Sequence, residues 1–268
     1  MSANIIPDLG AKALNQNINP DIQIVESELY KGRQAKHFHI LGRRAGFTST
    51  SIFNDVKEYD NSVANIADLS NSTLDIISSN ANDTSAGTGV RTVKVVYINN
   101  SNQLVESTAI TLNGTTLVTS VLTGVNFVCW METNTVGSGN VAAGNIRLRI
   151  NGGVVEVEQI TAGGNKSLSC NFMIPTGYTG YISKLEGSAI GSNQDMRINA
   201  TVNTFDRTIS SVYKFQDNLF LPTGTSAPSD YKGLRYPALC KIKVSTISSA
   251  TPVANRADCS FSVTLIAD

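Results

Sequence analysis

His37 and His39 are the only two histidines of the chain. They sit two residues apart in the run HFHIL, so on a strand both rings point to the same side. Two imidazoles can begin a metal site, but a third ligand is needed and none lies nearby in sequence. A Ser-His-Asp or Cys-His mechanism would have to use one of this pair, and no GxSxG, HExxH or Walker spacing accompanies them. The expected role for both rings is packing or an interface, with no metal, no cofactor and no catalytic residue.

Other chemistry-bearing residues read the same way. Glu156 and Glu158 sit on the same face of one strand, whereas a glycosidase needs two carboxyls facing each other across a cleft; a solvated stripe is expected. GTGVRT (Gly87–Thr92) is glycine-rich but leads into a strand, not a helix, so no helix dipole is available to hold an anion. It is expected to be a structural turn. Cys129, Cys170, Cys240 and Cys259 are far apart, without a CxxC, and each lies in an apparent strand. Free buried thiols are expected. Tyr178 and Tyr181 stand three apart in GYTGYISKLEG across what reads as a glycine turn. Exposed there, they would stack on a sugar or a partner; inside a sandwich corner they would pack.

The composition bounds the classes of function. The chain has 268 residues, enough for one large all-β domain or two smaller ones. Lys and Arg number 21 and Asp and Glu also 21, a formal net charge of zero, which lacks the basic excess of a nucleic-acid binder. Charged residues make up 16%, so the surface is solvated by the hydroxyls of 53 Ser and Thr and the amides of 26 Asn. Such a surface suits a protein whose neighbours are other subunits, since near-zero charge favours association. The N-terminus has no basic start followed by an apolar run, so no Sec signal is expected. No apolar stretch is long enough for a transmembrane helix, so neither nucleic acid nor membrane is an expected partner.

The elements that must position these residues are strands. Residues 1–35 are irregular, with Ile5, Ile6, Leu9, Ile22 and Ile24 as apolar points, and are expected to form an arm lying along neighbouring subunits. From residue 36 to 268 short β-rich runs are separated by Gly, Pro, Asn and Ser clusters, as one body or as two sub-domains meeting near 160–175. SIFNDVKEY is open between a short helix and a strand. RTVKVVYI, LVESTAITL, NFVCWME and TISSVYKFQDNLF read as strands. NIRLRI and GVVEVEQI flank Asn151-Gly152-Gly153, a hairpin signal. The expected fold is all-β, an antiparallel β-sandwich, jelly-roll-like.

One stretch resembles a known pattern. IISSNANDTSAGTGVRTVKVVYINNSNQLVESTAITLNGTTLV is similar to a segment of virion structural proteins of tailed phages and large aquatic viruses. The shared features are Asp83-Thr84 ahead of the Gly87–Gly89 turn, then Arg91–Val93, and a later strand running into Leu112–Gly114. MIPTGYTGYISKLEGSA and the closing CSFSVTLIAD resemble further elements of the same proteins. The resemblance implies a capsid, minor capsid, cement, vertex or tail protein. Its partners would be copies of itself and other virion proteins, and it would be made in the host cytoplasm and located in the virion. It carries over no catalytic residue. The alternative is a receptor- or glycan-binding adhesin on the same scaffold, for which a glycan partner stays open. Interface candidates are Ile5, Ile6, Leu9, Ile22, Ile24, Tyr178 and Tyr181.

Overall fold

The computed structural model describes residues 34–47, 51–59, 66–203, 205–250 and 255–268. The arm candidates Ile5, Ile6, Leu9, Ile22 and Ile24 lie outside them. The described residues form antiparallel strands and contain no helix. The all-β expectation therefore holds, and the architecture is an antiparallel β-sandwich.

Strand order places the layers. The first sheet runs β1 (Ala35–Ala45), β16 (Arg256–Ala267), β11 (Tyr178–Ile190), β14 (Ser226–Tyr236). The second runs β10 (Asn171–Met173), β15 (Lys241–Ser248), β12 (Gln194–Val202), β13 (Ile209–Leu221), with β2 (Asn54–Asp55) added to β15. The third is a curled sheet of β5 (Leu104–Glu106), β4 (Val90–Asn99), β7 (Val118–Val136), β3 (Ser72–Ser78), β8 (Ile146–Ile150) and β9 (Glu156–Ile160), with β6 (Ile110–Thr111) beside β4.

Period-two alternation builds the first core. Ile182, Leu185, Phe261, Val263 and Leu265 from the first sheet meet Met196, Ile198, Ala200, Ile242 and Val244 from the second. Each large aliphatic or aromatic side chain buried this way contributes about 1.5–3 kcal/mol. A second core fills the curled sheet, from Leu74, Ile76, Val93, Val95, Met131, Ile146 and Leu148.

β4 and β7 belong to both cores, which explains their unbroken apolar runs. Val93 and Val95 face the curled core while Val96 and Ile98 face the sandwich core. On β7, Val128 and Met131 point one way and Phe127 and Cys129 the other. Trp130 packs against the sandwich core beside Phe38, ring centroids 5.7 Å apart.

Local signals are obeyed where they are strong. β8 and β9 pair antiparallel around the expected hairpin, with Gly152 at φ 69°, a left-handed turn position. SIFNDVKEY resolves to extended chain, with β2 on β15 and a bridge from Lys57 to Ser169.

The Asp83 stretch is a knot rather than an anion site. The fully buried Asp83 carboxylate accepts from Val90 N (2.8 Å), Ala143 N (2.9 Å), Gly144 N (2.9 Å) and the Ser78 hydroxyl (2.6 Å). A Cβ on Gly89 would lie 2.2 Å from Asp83 Oδ1, and one on Gly87 2.0 Å from the Asn82 carbonyl oxygen. The Asp-Thr…Gly-Thr-Gly spacing thus lets one carboxylate satisfy the backbone of two loops at close range.

Candidate subunit interface

The outward face of the second sheet carries aromatic and cationic side chains that the cores do not use. β12 turns Met196, Ile198 and Ala200 inward, and so turns Asp195, Arg197 and Asn199 outward. Arg197 stacks on Phe53, its guanidinium carbon 3.8 Å from the ring centroid, and lies 5.4 Å from that of Phe215. Asp195 Oδ2 accepts from Arg197 at 3.2 Å and Asp195 Oδ1 from the Asn218 amide at 3.3 Å. On the same face Lys243 sits 4.2 Å over the Tyr213 ring and 2.9 Å from Asp55 Oδ2. Burial raises the Tyr213 phenol above its ordinary range, so that ring is a neutral donor.

β13 is the rim of this face and hydrogen-bonds only to β12 among the named strands. Val212 is 62%, Phe215 52% and Phe220 60% exposed, with Ile209 also open and Phe205 fully exposed in the connecting turn. Gln216 is skipped in the β12–β13 register, where Asn199 pairs with Phe215 and Ile198 with Asp217. The bulge breaks strict alternation and leaves apolar groups along an edge that no other strand of the described residues covers. An apolar edge next to a stacked Arg is how protein interfaces are built.

The residues singled out from sequence are dispersed. Tyr178 and Tyr181 lie on opposite faces of β11, because Gly180 is a strand residue paired with Tyr236 and Leu265 and the turn is at Gly177. They make no shared platform. Tyr178 packs against the sandwich core, under Lys36 at 5.4 Å, and lines a cavity of about 240 Å³ with Gln103 and Thr176. The His37 and His39 rings, side by side on β1, meet Thr264 (3.1 Å) and Ser262 (3.3 Å) across the ladder. Among the described residues no group of three His, Cys, Asp or Glu is placed to hold a metal.

The solvated stripe expected of Glu156 and Glu158 is not what the structure shows. Glu156 lies 3.0 Å from Arg147 and 3.6 Å from Arg149. Glu158 is fully buried, opposite Leu148, accepting from Ser169 Oγ (2.7 Å) and Gln159 N (3.1 Å), while its Oε2 has no partner. Burial pushes this carboxyl up to about 8, the Ser169 and Gln159 bonds and the Lys57 charge opposing only in part. Nearby, burial likewise raises Asp55, against the pull of Lys243. Asp55 belongs to β2 at the margin of the second sheet and Glu158 to β9 of the curled sheet.

All four cysteines are free and buried. Cys129 and Cys259 are in strands, whereas Cys170 and Cys240 immediately precede β10 and β15. Burial drives the Cys129 and Cys240 thiols up to about 12, which leaves them protonated and unreactive.

The rim of β13 escaped sequence reasoning, which placed TISSVYKFQDNLF correctly as a strand. The available signal was Val212, Tyr213, Phe215 and Phe220, which no single alternating face can bury together.

No family model matches the chain, and no curated protein matches it. Among solved structures, the infectious bursal disease virus Gx strain gives TM-score 0.26 at 10% identity, over 87% of this chain and 70% of that one. The VP2 subviral particle of infectious bursal disease virus gives 0.23 at 11%, over 87% and 72%. The tandem CBM22-1-CBM22-2 domain of Paenibacillus barcinonensis Xyn10C gives 0.23 at 11%, over 89% and 94%. Scores this low carry nothing on function.

Proposed function

We propose that this chain is a non-enzymatic structural subunit of a virus particle, acting through contacts with copies of itself and with other virion proteins. The observation that carries the subunit role is the exposed apolar rim of β13 beside the Arg197–Phe53 stack, mounted on a rigid two-sheet core. The resemblance of the Ile76–Val118 stretch to virion structural proteins supplies the particle. The carboxylate knot fits a protein selected for a fixed shape, since Asp83 is engaged by the backbone of two loops. On this reading the arm ahead of β1 lies along a neighbouring subunit, and synthesis takes place in the host cytoplasm.

The test is an immunoblot of gradient-purified virus particles with antibody raised against the recombinant chain. The expected result is a band that co-sediments with particles and resists a salt wash; a band confined to soluble lysate fractions refutes the proposal. A second reading, glycan capture, is favoured by the small cavity that joins Tyr178, Gln103 and Lys36, an aromatic face next to an amide and a cation. A glycan array separates the two: saturable binding lost in Tyr178→Ala supports capture, and a blank array supports the subunit role alone.

A further inference from the structure

We propose that β13 pairs edge to edge with β13 of a second copy, antiparallel about a two-fold axis between Phe215 and Gln216, continuing the second sheet from one subunit into the next. This names the partner of the surface on which the proposed function rests, and it stands on the geometry of the strand itself.

A free strand edge presents unpaired N–H and C=O groups that another strand can complete. β13 is 13 residues long, a ladder of about 40 Å at the rise of an antiparallel strand. The chain has no net charge to oppose self-association.

The charges of β13 complement themselves in one register. Lys214 pairs with Ala200 and Asp217 with Ile198. Both partners are core residues, so Lys214 and Asp217 point to the same side of the sheet. Without the bulge at Gln216, residues three apart would point to opposite sides. About the proposed axis Lys214 faces Asp217 of the second copy, and Asp217 faces its Lys214. An isologous contact makes every such pair twice. In the same register Val212 meets Leu219 and Tyr213 meets Asn218, each joining residues on one side. Phe215 of each copy is brought to the axis on the outward side, beside Arg197, where both rings lose their exposure.

The test uses the full chain in sedimentation velocity over a concentration series. Wild type is expected to be a dimer at micromolar concentration. Lys214→Asp places two carboxylates opposite each other at both sites, and Asp217→Lys places two ammonium groups there. Each single substitution should weaken self-association about tenfold or more, since like charges directly opposed destabilise a strand pair. The double variant Lys214→Asp/Asp217→Lys recreates the pairing with signs exchanged and should return to within about threefold of wild type. Both side chains are exposed in the monomer, so melting temperatures of dilute protein should match and serve as the folding control.

A wild-type chain that stays monomeric at 100-fold higher concentration overturns the proposal. So does a dimer indifferent to either single substitution, or a double variant as weak as the singles. Particle membership is read separately by immunoblot. A β13 dimer absent from particles would sink the virion role and leave the pairing intact, whereas a monomeric chain inside particles would do the reverse.

Discussion

Replacing Glu158 by Gln should stabilise the protein by an amount that grows with pH. The carboxyl ionises near 4.5 when exposed and near 8 when folded, because it is fully buried and one oxygen has no partner. Between those values the folded state holds a proton that the unfolded chain has released, so raising the pH removes stability. Nothing is lost below about 4.5, and the loss is complete above about 8. At about 1.4 kcal/mol per pH unit the penalty is roughly 3 kcal/mol at pH 7 and about 5 kcal/mol above pH 8. Gln keeps an acceptor for Ser169 and Gln159 but never ionises, so the variant escapes the penalty. Its own unpartnered amide costs on the order of 1 kcal/mol at every pH. The assay is urea unfolding of both proteins from pH 5 to pH 9. The expected result is near-equality or a slight deficit at pH 5 and an advantage of about 2–4 kcal/mol at pH 8, or roughly 10 °C in melting temperature. An E158Q curve parallel to wild type between pH 5 and 8 would refute the assignment of the pH dependence to this carboxyl.

Asp83→Ala should cost about 3–5 kcal/mol in chemical denaturation, because it strands three backbone N–H groups and the Ser78 hydroxyl without their acceptor. Gly89→Ala should be destabilising for the related reason that its Cβ would stand 2.2 Å from the same carboxylate, and the two losses should add to less than their sum in a double variant. Without any reductant, Ellman's reagent should find almost no reactive thiol in native protein and about four equivalents after denaturation, as four buried free cysteines require. Two equivalents or fewer would mean disulfides.

The sequence by itself determined the class of fold. Alternation in HFHIL, NIRLRI and CSFSVTL, with Gly and Asn turns between strands, leaves an antiparallel sandwich as the way to bury one face of each strand. It determined the Asn151–Gly153 hairpin, since a left-handed turn is a local requirement that only a few residue types meet. It also placed the cysteines inside, because each lies within a β-rich run and no CxxC spacing offers a metal or disulfide alternative. Only the tertiary structure decided the rest. Glu158 is indistinguishable from Glu156 along the chain; only the fold bridges the distant Lys57 to Ser169, whose hydroxyl donates to the buried Glu158 carboxylate. Whether Tyr178 and Tyr181 stack outward or pack also depends on the fold: the turn lies at Gly177 and Gly180 is within β11, and in a strand an odd spacing sends two side chains to opposite faces. The free edge of β13 depends on strand order, and the shared side of Lys214 and Asp217 depends on one skipped residue in a ladder. Local pattern sets which residues prefer a strand; long-range pairing sets which edge of that strand is left open.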